Sequence, residues 1–246
     1  MLENLPLYIP FIFGLVVVLT LILFYWTLKS SNFPEIQLLS NKILLGLIFW
    51  LTIQAVLTFQ YLYSSYIDFF PPIILLFGIL PVLLVIAGLF LTQKGRRFID
   101  GLPLINLTYL NIVRIPVELV LYWLFLNKVV PELMTFEGRN FDIIAGITAP
   151  IIAYFDLLKR NISRKIILIW HFICLGLLLN IVINGFLSAP SPIQKFAFEQ
   201  PNLAILYFPF SWLPTFIVPV VLFGHLTSIR QLLKRKQLNE PFTKTL

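Results

Sequence analysis

Long runs of apolar residues alternate with short polar links along the whole chain. A helix that spans a bilayer needs about 20 mostly apolar residues, and hydropathy windows of that length predict seven such helices. Their approximate bounds are 5–28, 43–63, 72–91, 104–126, 142–158, 166–187 and 203–226, the fifth being the shortest. The pattern predicts an all-α, polytopic membrane protein, with a seven-helix transmembrane domain over residues 1–228 and a short basic tail over residues 229–246.

Composition agrees with this interpretation. Hydrophobic residues make up 59% of the chain and charged residues 12%, and the mean hydropathy is +0.92. A soluble domain carries about 25% charged residues, so half that level leaves too little charge to cover a surface in water. We therefore expect the lipid bilayer to be the main surrounding medium, and a cell membrane, most simply a bacterial inner membrane, to be the location.

Basic residues are distributed unevenly between the polar links. The first, third and fifth links and the C-terminal tail hold 14 lysines and arginines, whereas the N-terminal tail and the second, fourth and sixth links hold 3. Cytoplasmic links of membrane proteins collect Lys and Arg, which predicts the N-terminus outside and the C-terminus in the cytoplasm. The same rule explains the net charge of +7, so we expect no nucleic-acid partner.

The fourth predicted helix carries a polar stripe. At 100° per residue, Asn111, Arg114, Glu118 and Tyr122 fall within an arc of about 80°. A charge at mid-membrane costs ~2.5–3.5 kcal/mol on insertion scales, and the i,i+4 spacing of Arg114 and Glu118 predicts that the two side chains pair and reduce this cost. Pro116 lies between them and removes one backbone hydrogen bond.

Polar residues of two later helices fall at the same depth in this topology. The sixth helix contributes two asparagines, and the seventh contributes a tyrosine and a serine on one face and is interrupted by three prolines. Their convergence predicts an outward-facing pocket for a small polar or amphiphilic ligand, in which Arg114 holds an anionic group and Glu118 is its counter-ion or a proton site. The predicted ligand-binding residues are Arg114, Glu118, Asn111, Tyr122, Asn180, Asn184, Tyr207 and Ser211.

A structural role for these polar groups is the alternative. Asn, Ser and buried ion pairs commonly join transmembrane helices, and the chain would then be an accessory subunit bound to a membrane protein partner, or a sensor acting through its basic cytoplasmic face. Small residues on one face of the fifth helix predict close helix packing in any case. That face comprises Asp142, Ala145, Gly146, Ala149, Ala153 and Asp156.

Enzymatic and cofactor chemistry find little support in the sequence. No motif pairs a nucleophile with a base or spaces metal ligands, so an enzyme is not favoured. The seventh helix has no lysine to bind retinal. The two histidines, His171 and His225, are the one pair that would suggest a bis-histidine haem, and without a stronger motif we expect no cofactor and no metal.

Overall fold

The computed structural model describes residues 5–157 and 163–239, and all the regular secondary structure in these ranges is helical. Residues 158–162 of the basic fifth link and residues 240–246 of the predicted tail lie outside the described residues. The main helices are α1 (Tyr8–Lys29), α2 (Pro34–Phe59), α3 (Leu62–Ser65), α4 (Leu80–Leu91), α5 (Gln93–Asp100), α6 (Leu104–Tyr109), α7 (Arg114–Leu126), α8 (Asp142–Leu157), α9 (Arg164–Ser188) and α10 (Val218–Asn239).

Five stretches of helix are long and apolar enough to cross a bilayer. They are Tyr8–Lys29, Pro34–Phe59, Leu104–Leu126, Arg164–Ser188 and Leu213–Lys234. A sixth is obtained if α4 and α5, which meet at 91°, count as one bent span. Each of the seven predicted runs corresponds to a helix, but the apolar part of α8 is short, so seven crossings and the N-out orientation stay predictions.

Prolines shift two helix starts away from the predicted bounds. The second helix begins at Pro34 rather than near residue 43, because proline is preorganised for the first helical position, where its missing N–H costs nothing. The last helical stretch begins at Leu213 rather than near residue 203. Pro209 interrupts the preceding segment, which forms only a short 3₁₀ turn at Ala204–Leu206.

Helix α10 lies at the centre of the bundle. In the apolar window of Leu213–Lys234, 72% of residues are buried, against 17% for the window in α2. Helix α10 packs on α9 and α6, α1 packs on α2, α6 and α7, and α8 packs on α6, α7 and α9. Helices α2 and α4 therefore lie at the periphery, and grooves remain on both sides of α4.

The small-residue face of α8 packs as predicted. Ala145, Ala149 and Ala153 are buried, and a Cβ on Gly146 would lie 3.0 Å from the backbone N of Ile115. Only glycine permits this approach, so α8 lies directly against the start of α7. The side chain of Asp156, at the far end of the predicted face, lies outside those that the structure describes.

Two π-helical turns face each other at the periphery. Leu75–Ile79 precedes α4 and Leu213–Ile217 precedes α10, and the two turns are in contact. A Cβ on Gly78 would lie 2.6 Å from Cγ2 of Thr215. The proline-rich last helix therefore departs from regular α-helix at a turn that contains Pro214. This turn contacts the π-helical turn that leads into α4.

Candidate functional site

Arg114 is buried at the start of α7 and is held by two other helices. Its Nη2 donates a hydrogen bond of 3.1 Å to the carbonyl oxygen of Cys174 in α9 and lies 3.4 Å from Oδ2 of Asp142, the first residue of α8. The predicted Arg114–Glu118 ion pair is wrong. The close packing of α8 on the start of α7 brings the Asp142 carboxylate to the guanidinium.

Glu118 is held instead by Asn140, which lies in the loop between α7 and α8. Its Oε1 accepts a hydrogen bond of 2.6 Å from Nδ2 of Asn140. Nδ2 of Asn140 also donates to the carbonyl of Met134 at 3.0 Å, and its Oδ1 accepts from the backbone N–H of Asp142 at 3.0 Å. Asn140 therefore caps α8 and joins it to Glu118, and the loop before α8 folds into the bundle.

Several atoms of this cluster have no hydrogen-bond partner. Three are acceptors, Oε2 of Glu118, Oδ1 of Asp142 and Oδ1 of Asn202, and two are donors, Nε and Nη1 of Arg114. Leaving a buried polar atom unpaired costs ~1–3 kcal/mol, and more for a charged group. Glu118 and Asp142 are 2% and 4% exposed, so water at the protein surface does not satisfy them.

The buried charges do not balance. The charged side chains buried in the described part of the chain are Arg114, Glu118 and Asp142. One guanidinium and two carboxylates leave a net charge of −1 when all are ionised. In a medium of low dielectric constant such an excess is unfavourable, and one proton or one bound monocation would remove it.

The three unpartnered acceptors belong to residues on the wall of one cavity of about 320 Å³. We call it the α4–α9 cavity. Its wall is formed by the entry of α4 (Ile74 to Leu83), parts of α7 and α9, and the segment from Leu213 to Leu222. Among the described residues on this wall, Glu118, Asp142 and Asn202 carry the polar side chains, and the others are apolar. Arg114 lies behind the wall.

The α4–α9 cavity opens sideways between α4 and α9. Leu80, Leu83 and Leu179 line it and are also exposed, by 40%, 39% and 46%. An opening framed by leucines faces the same medium as the apolar surface of the helices. A ligand with an apolar body could enter by this route without crossing a polar surface.

The eight predicted ligand-binding residues do not come together in one cavity. Glu118 is the one that lines the α4–α9 cavity. Asn111 donates to the carbonyls of Leu107 and Thr108 in its own helical segment. Tyr122 is half-buried and stacks on Phe136, with ring centroids 4.9 Å apart.

The remaining predicted residues join neighbouring segments. Asn180 donates to the carbonyl of Arg139 at 2.8 Å and accepts from Asn184 at 3.2 Å. Ser211 shares a 2.9 Å hydrogen bond with Thr58 of α2. Tyr207 packs beside a small apolar cluster. Of these contacts, the Ser211–Thr58 hydrogen bond joins two segments of the bundle, as the structural alternative describes, whereas the Asn184–Asn180 bond lies within α9.

Sequence reasoning missed three residues of the site. Asp142 carried a signal, since it is acidic at the start of an apolar run, but it was interpreted as the end of a packing face. Asn140 lies in the loop just before α8, and its side-chain amide can donate a hydrogen bond to a buried carboxylate. Asn202 lies in an irregular segment without periodicity, so no pattern could have assigned it.

The histidine pair does not fit haem ligation. Nδ1 of His171 lies 3.0 Å from Nδ1 of His225, and both side chains are fully buried. In bis-histidine ligation the two rings lie on opposite faces of one porphyrin, but here they contact each other directly. No cluster of three His, Cys, Asp or Glu able to hold a metal ion occurs within residues 5–157 and 163–239.

Comparison with known proteins identifies a family. No curated protein and no solved structure matches the chain. Residues 71–233 match the family described as a domain of unknown function, DUF8737. This range contains the whole wall of the α4–α9 cavity and the cluster of Arg114, Glu118, Asn140 and Asp142. The match spans more than half of the sequence, and the chain belongs to this family.

Proposed function

We propose that the protein is a multi-pass membrane protein that binds an amphiphilic small ligand in the α4–α9 cavity, with the ligand's positively charged, hydrogen-bond-donating head at Glu118 and Asp142. The membrane assignment is supported by the five long apolar helices and by large apolar side chains exposed along them, such as Phe11, Phe49 and Phe172. The charge asymmetry supports seven crossings, an outer N-terminus and a location in a cell membrane.

The main support for a cationic ligand is the set of buried acceptors without a donor. Glu118, Asp142 and Asn202 each have one buried oxygen without a donor, and the rest of the cavity wall is apolar. A ligand's donors would satisfy these oxygens once the side chains turn toward the cavity, since the three oxygens are buried in the present conformation, and a positive charge would offset the excess carboxylate. An anionic head group, which the sequence had suggested for Arg114, would meet two carboxylates instead, because Arg114 is not among the residues that line the cavity, although its Nε and Nη1 have no hydrogen-bond partner.

The volume limits the size of the ligand's apolar body. An engineered cavity of about 150 Å³ in another protein holds benzene, and the α4–α9 cavity measures about 320 Å³. By proportion it accommodates roughly thirteen non-hydrogen atoms. A primary amine with a chain of about ten carbons is therefore a suitable first probe.

Transport is the concrete form of this proposal. A proton on the carboxylate pair neutralises the excess charge when the cavity is empty, and a cationic ligand displaces that proton when it binds. Occupancy by one or the other couples ligand movement to proton movement. Glu118 is the proposed proton site, because Asp142 is paired with Arg114, whereas Glu118 forms no ion pair with a described residue.

Binding of n-decylamine, decanol and decanoate to the purified protein tests the ligand class. We expect the amine to bind at least about tenfold more tightly than either competitor, and Glu118→Gln to remove most of this preference, since a tenfold ratio corresponds to ~1.4 kcal/mol of charge interaction. Glu132→Gln is the matched control, because Glu132 is exposed on the loop before α8. Equal binding of the three probes, or tighter binding of decanoate, would contradict the proposal.

A structural role is the second candidate, supported by the way Arg114 is held. The guanidinium joins α7, α8 and α9 and is 3% exposed. In this case Arg114 only holds the three helices together, and the protein would be an accessory subunit that binds a membrane protein partner rather than a ligand. Saturable amine binding that depends on Glu118 favours the first candidate, whereas loss of a co-purifying protein in Arg114→Ala without saturable amine binding favours the second.

A further inference from the structure

A second, larger cavity lies on the other side of α4. It has a volume of about 820 Å³ and is bounded by α2, α4, α5 and α10. Ile43, Leu47 and Trp50 line it from α2, and Val85 and Leu89 line it from α4. We call it the α2–α4 groove. Its wall is apolar except near the junction of α4 and α5, where Lys94 lies.

Helix α5 places Lys94 at the expected depth of lipid head groups. The helix lies at 91° to α4, so α5 runs along the bilayer plane if α4 crosses it. A short helix of this kind lies at the membrane interface, with basic residues toward the head groups. Ile99 is fully buried against the bundle, whereas Lys94 is exposed.

The other basic side chains around α5 already have partners. Arg97 pairs with Glu35 at 2.7 Å, and Arg96 donates to the carbonyls of Phe90 and Leu91. Arg230 and Lys234 both pair with Asp100. Across the described residues, Lys94 and Lys42 form no ion pair. Lys42 precedes the groove-lining Ile43 by one residue and is exposed.

We propose that the α2–α4 groove is a binding site for an anionic glycerophospholipid, with an acyl chain along the groove and the phosphate at Lys94 and Lys42. Lysine binds phosphate as a point charge, and each lysine near the surface favours an anionic lipid by about fivefold. The groove wall is mostly apolar, so a soluble phosphate ion without an acyl chain would not be held in the groove. Lys94 in the wall and Lys42 next to the groove-lining Ile43 select for charge, and the apolar walls select for a chain.

Quenching of Trp50 by brominated lipids tests this site. Trp50 lines the groove and is eight residues beyond Lys42, about 12 Å along the helix, which is near mid-chain depth. A variant with Trp50 as its single tryptophan is placed in vesicles of phosphatidylglycerol and phosphatidylcholine, with bromines at carbons 9 and 10 of one lipid at a time. We expect the fraction of Trp50 neighbours that are phosphatidylglycerol, relative to phosphatidylcholine, to exceed the ratio of the two lipids in the vesicle by about fivefold or more.

Substitution of the lysines separates the site from general surface charge. Lys42→Gln with Lys94→Gln should bring the ratio of quenching by phosphatidylglycerol to quenching by phosphatidylcholine close to one, whereas Lys165→Gln should leave it unchanged. Lys165 is exposed in the first turn of α9, which does not line the groove. Equal quenching by both lipids, or an equal loss with Lys165→Gln, overturns the proposal.

Native mass spectrometry of the unmodified chain provides a second measurement. Released from mixed-lipid discs, the protein should retain phosphatidylglycerol in preference to phosphatidylcholine, and the double lysine variant should lose that preference. The measurement does not depend on the folding of the single-tryptophan variant. Retention of both lipids in proportion to the mixture contradicts the site.

Discussion

A single arginine organises the buried polar cluster. Its side chain ties α7 to the first residue of α8 and to a backbone carbonyl of α9. The i,i+4 rule concerns neighbours on one helix, and it suggested Glu118 as the partner. Asp142 forms the pair instead, because an interhelical contact made possible by Gly146 brings it closer to Arg114.

Removal of the Arg114 side chain should destabilise the protein strongly. Arg114→Ala leaves the buried carboxylate of Asp142 without a counter-ion, and breaking one side of a buried pair costs ~3–5 kcal/mol. Arg164→Ala, at an exposed position at the start of α9, should change stability by less than ~0.5 kcal/mol. Unfolding in mixed micelles by a denaturing detergent measures both. A loss below ~1 kcal/mol for Arg114→Ala would show that the pair is not part of the core.

At the scale of elements, glycines set how closely helices approach. Gly78 brings the π-helical turn before α4 against Thr215 in the turn before α10. Hydropathy predicted both helices, although the last begins about ten residues later than predicted, and a π-helical turn has no hydrophobic period of its own. The prolines at 209, 214 and 219 indicated irregular backbone in the last helix, but the sequence could not indicate which face of each turn would meet the other.

A methyl group at position 78 tests this contact. Gly78→Ala places a carbon within 2.6 Å of Thr215, and overpacking of this kind costs ~1–3 kcal/mol. Gly88→Ala in the same helical segment meets nothing within 4 Å and should be neutral or stabilising by up to ~1 kcal/mol. The thermal midpoint of Gly78→Ala should therefore fall, and that of Gly88→Ala should stay the same or rise. A midpoint for Gly78→Ala equal to that of the natural protein would rule out the contact.

At the scale of the whole molecule, the sequence predicts the helices better than the site. Apolar run length predicts a helix near each of the seven segments, because the bilayer requires about 20 apolar residues whatever the neighbours are. The cavity depends on which helices pack and which stand apart, as α4 does. Polarity alone therefore selected Glu118, which lines the cavity, but grouped it with Asn180, Asn184 and Ser211, whose hydrogen bonds lie elsewhere.

The number of crossings depends on α8. Its 16 residues extend about 24 Å, which is less than the ~30 Å hydrocarbon core. If α8 crosses, its two flanking links lie on opposite sides. In a Cys174→Ala background, Glu137→Cys should react with a membrane-impermeant maleimide added to intact cells, and Arg164→Cys should react only after permeabilisation. Reaction of both before permeabilisation, or of neither, would show that α8 does not cross.

The central claim is that the α4–α9 cavity holds a cationic amphiphile, and photolabelling tests it most directly. A decylamine that carries a diazirine near the end of its chain is bound to the protein, irradiated and located by peptide mass spectrometry. We predict saturable labelling of Leu178 to Phe186 in α9 and of Ile74 to Leu83 around the entry of α4, two parts of the cavity wall. Excess unlabelled decylamine and Glu118→Gln should each reduce it. Labelling spread over the outer surfaces of α1 and α2, unaffected by competitor, would contradict the claim.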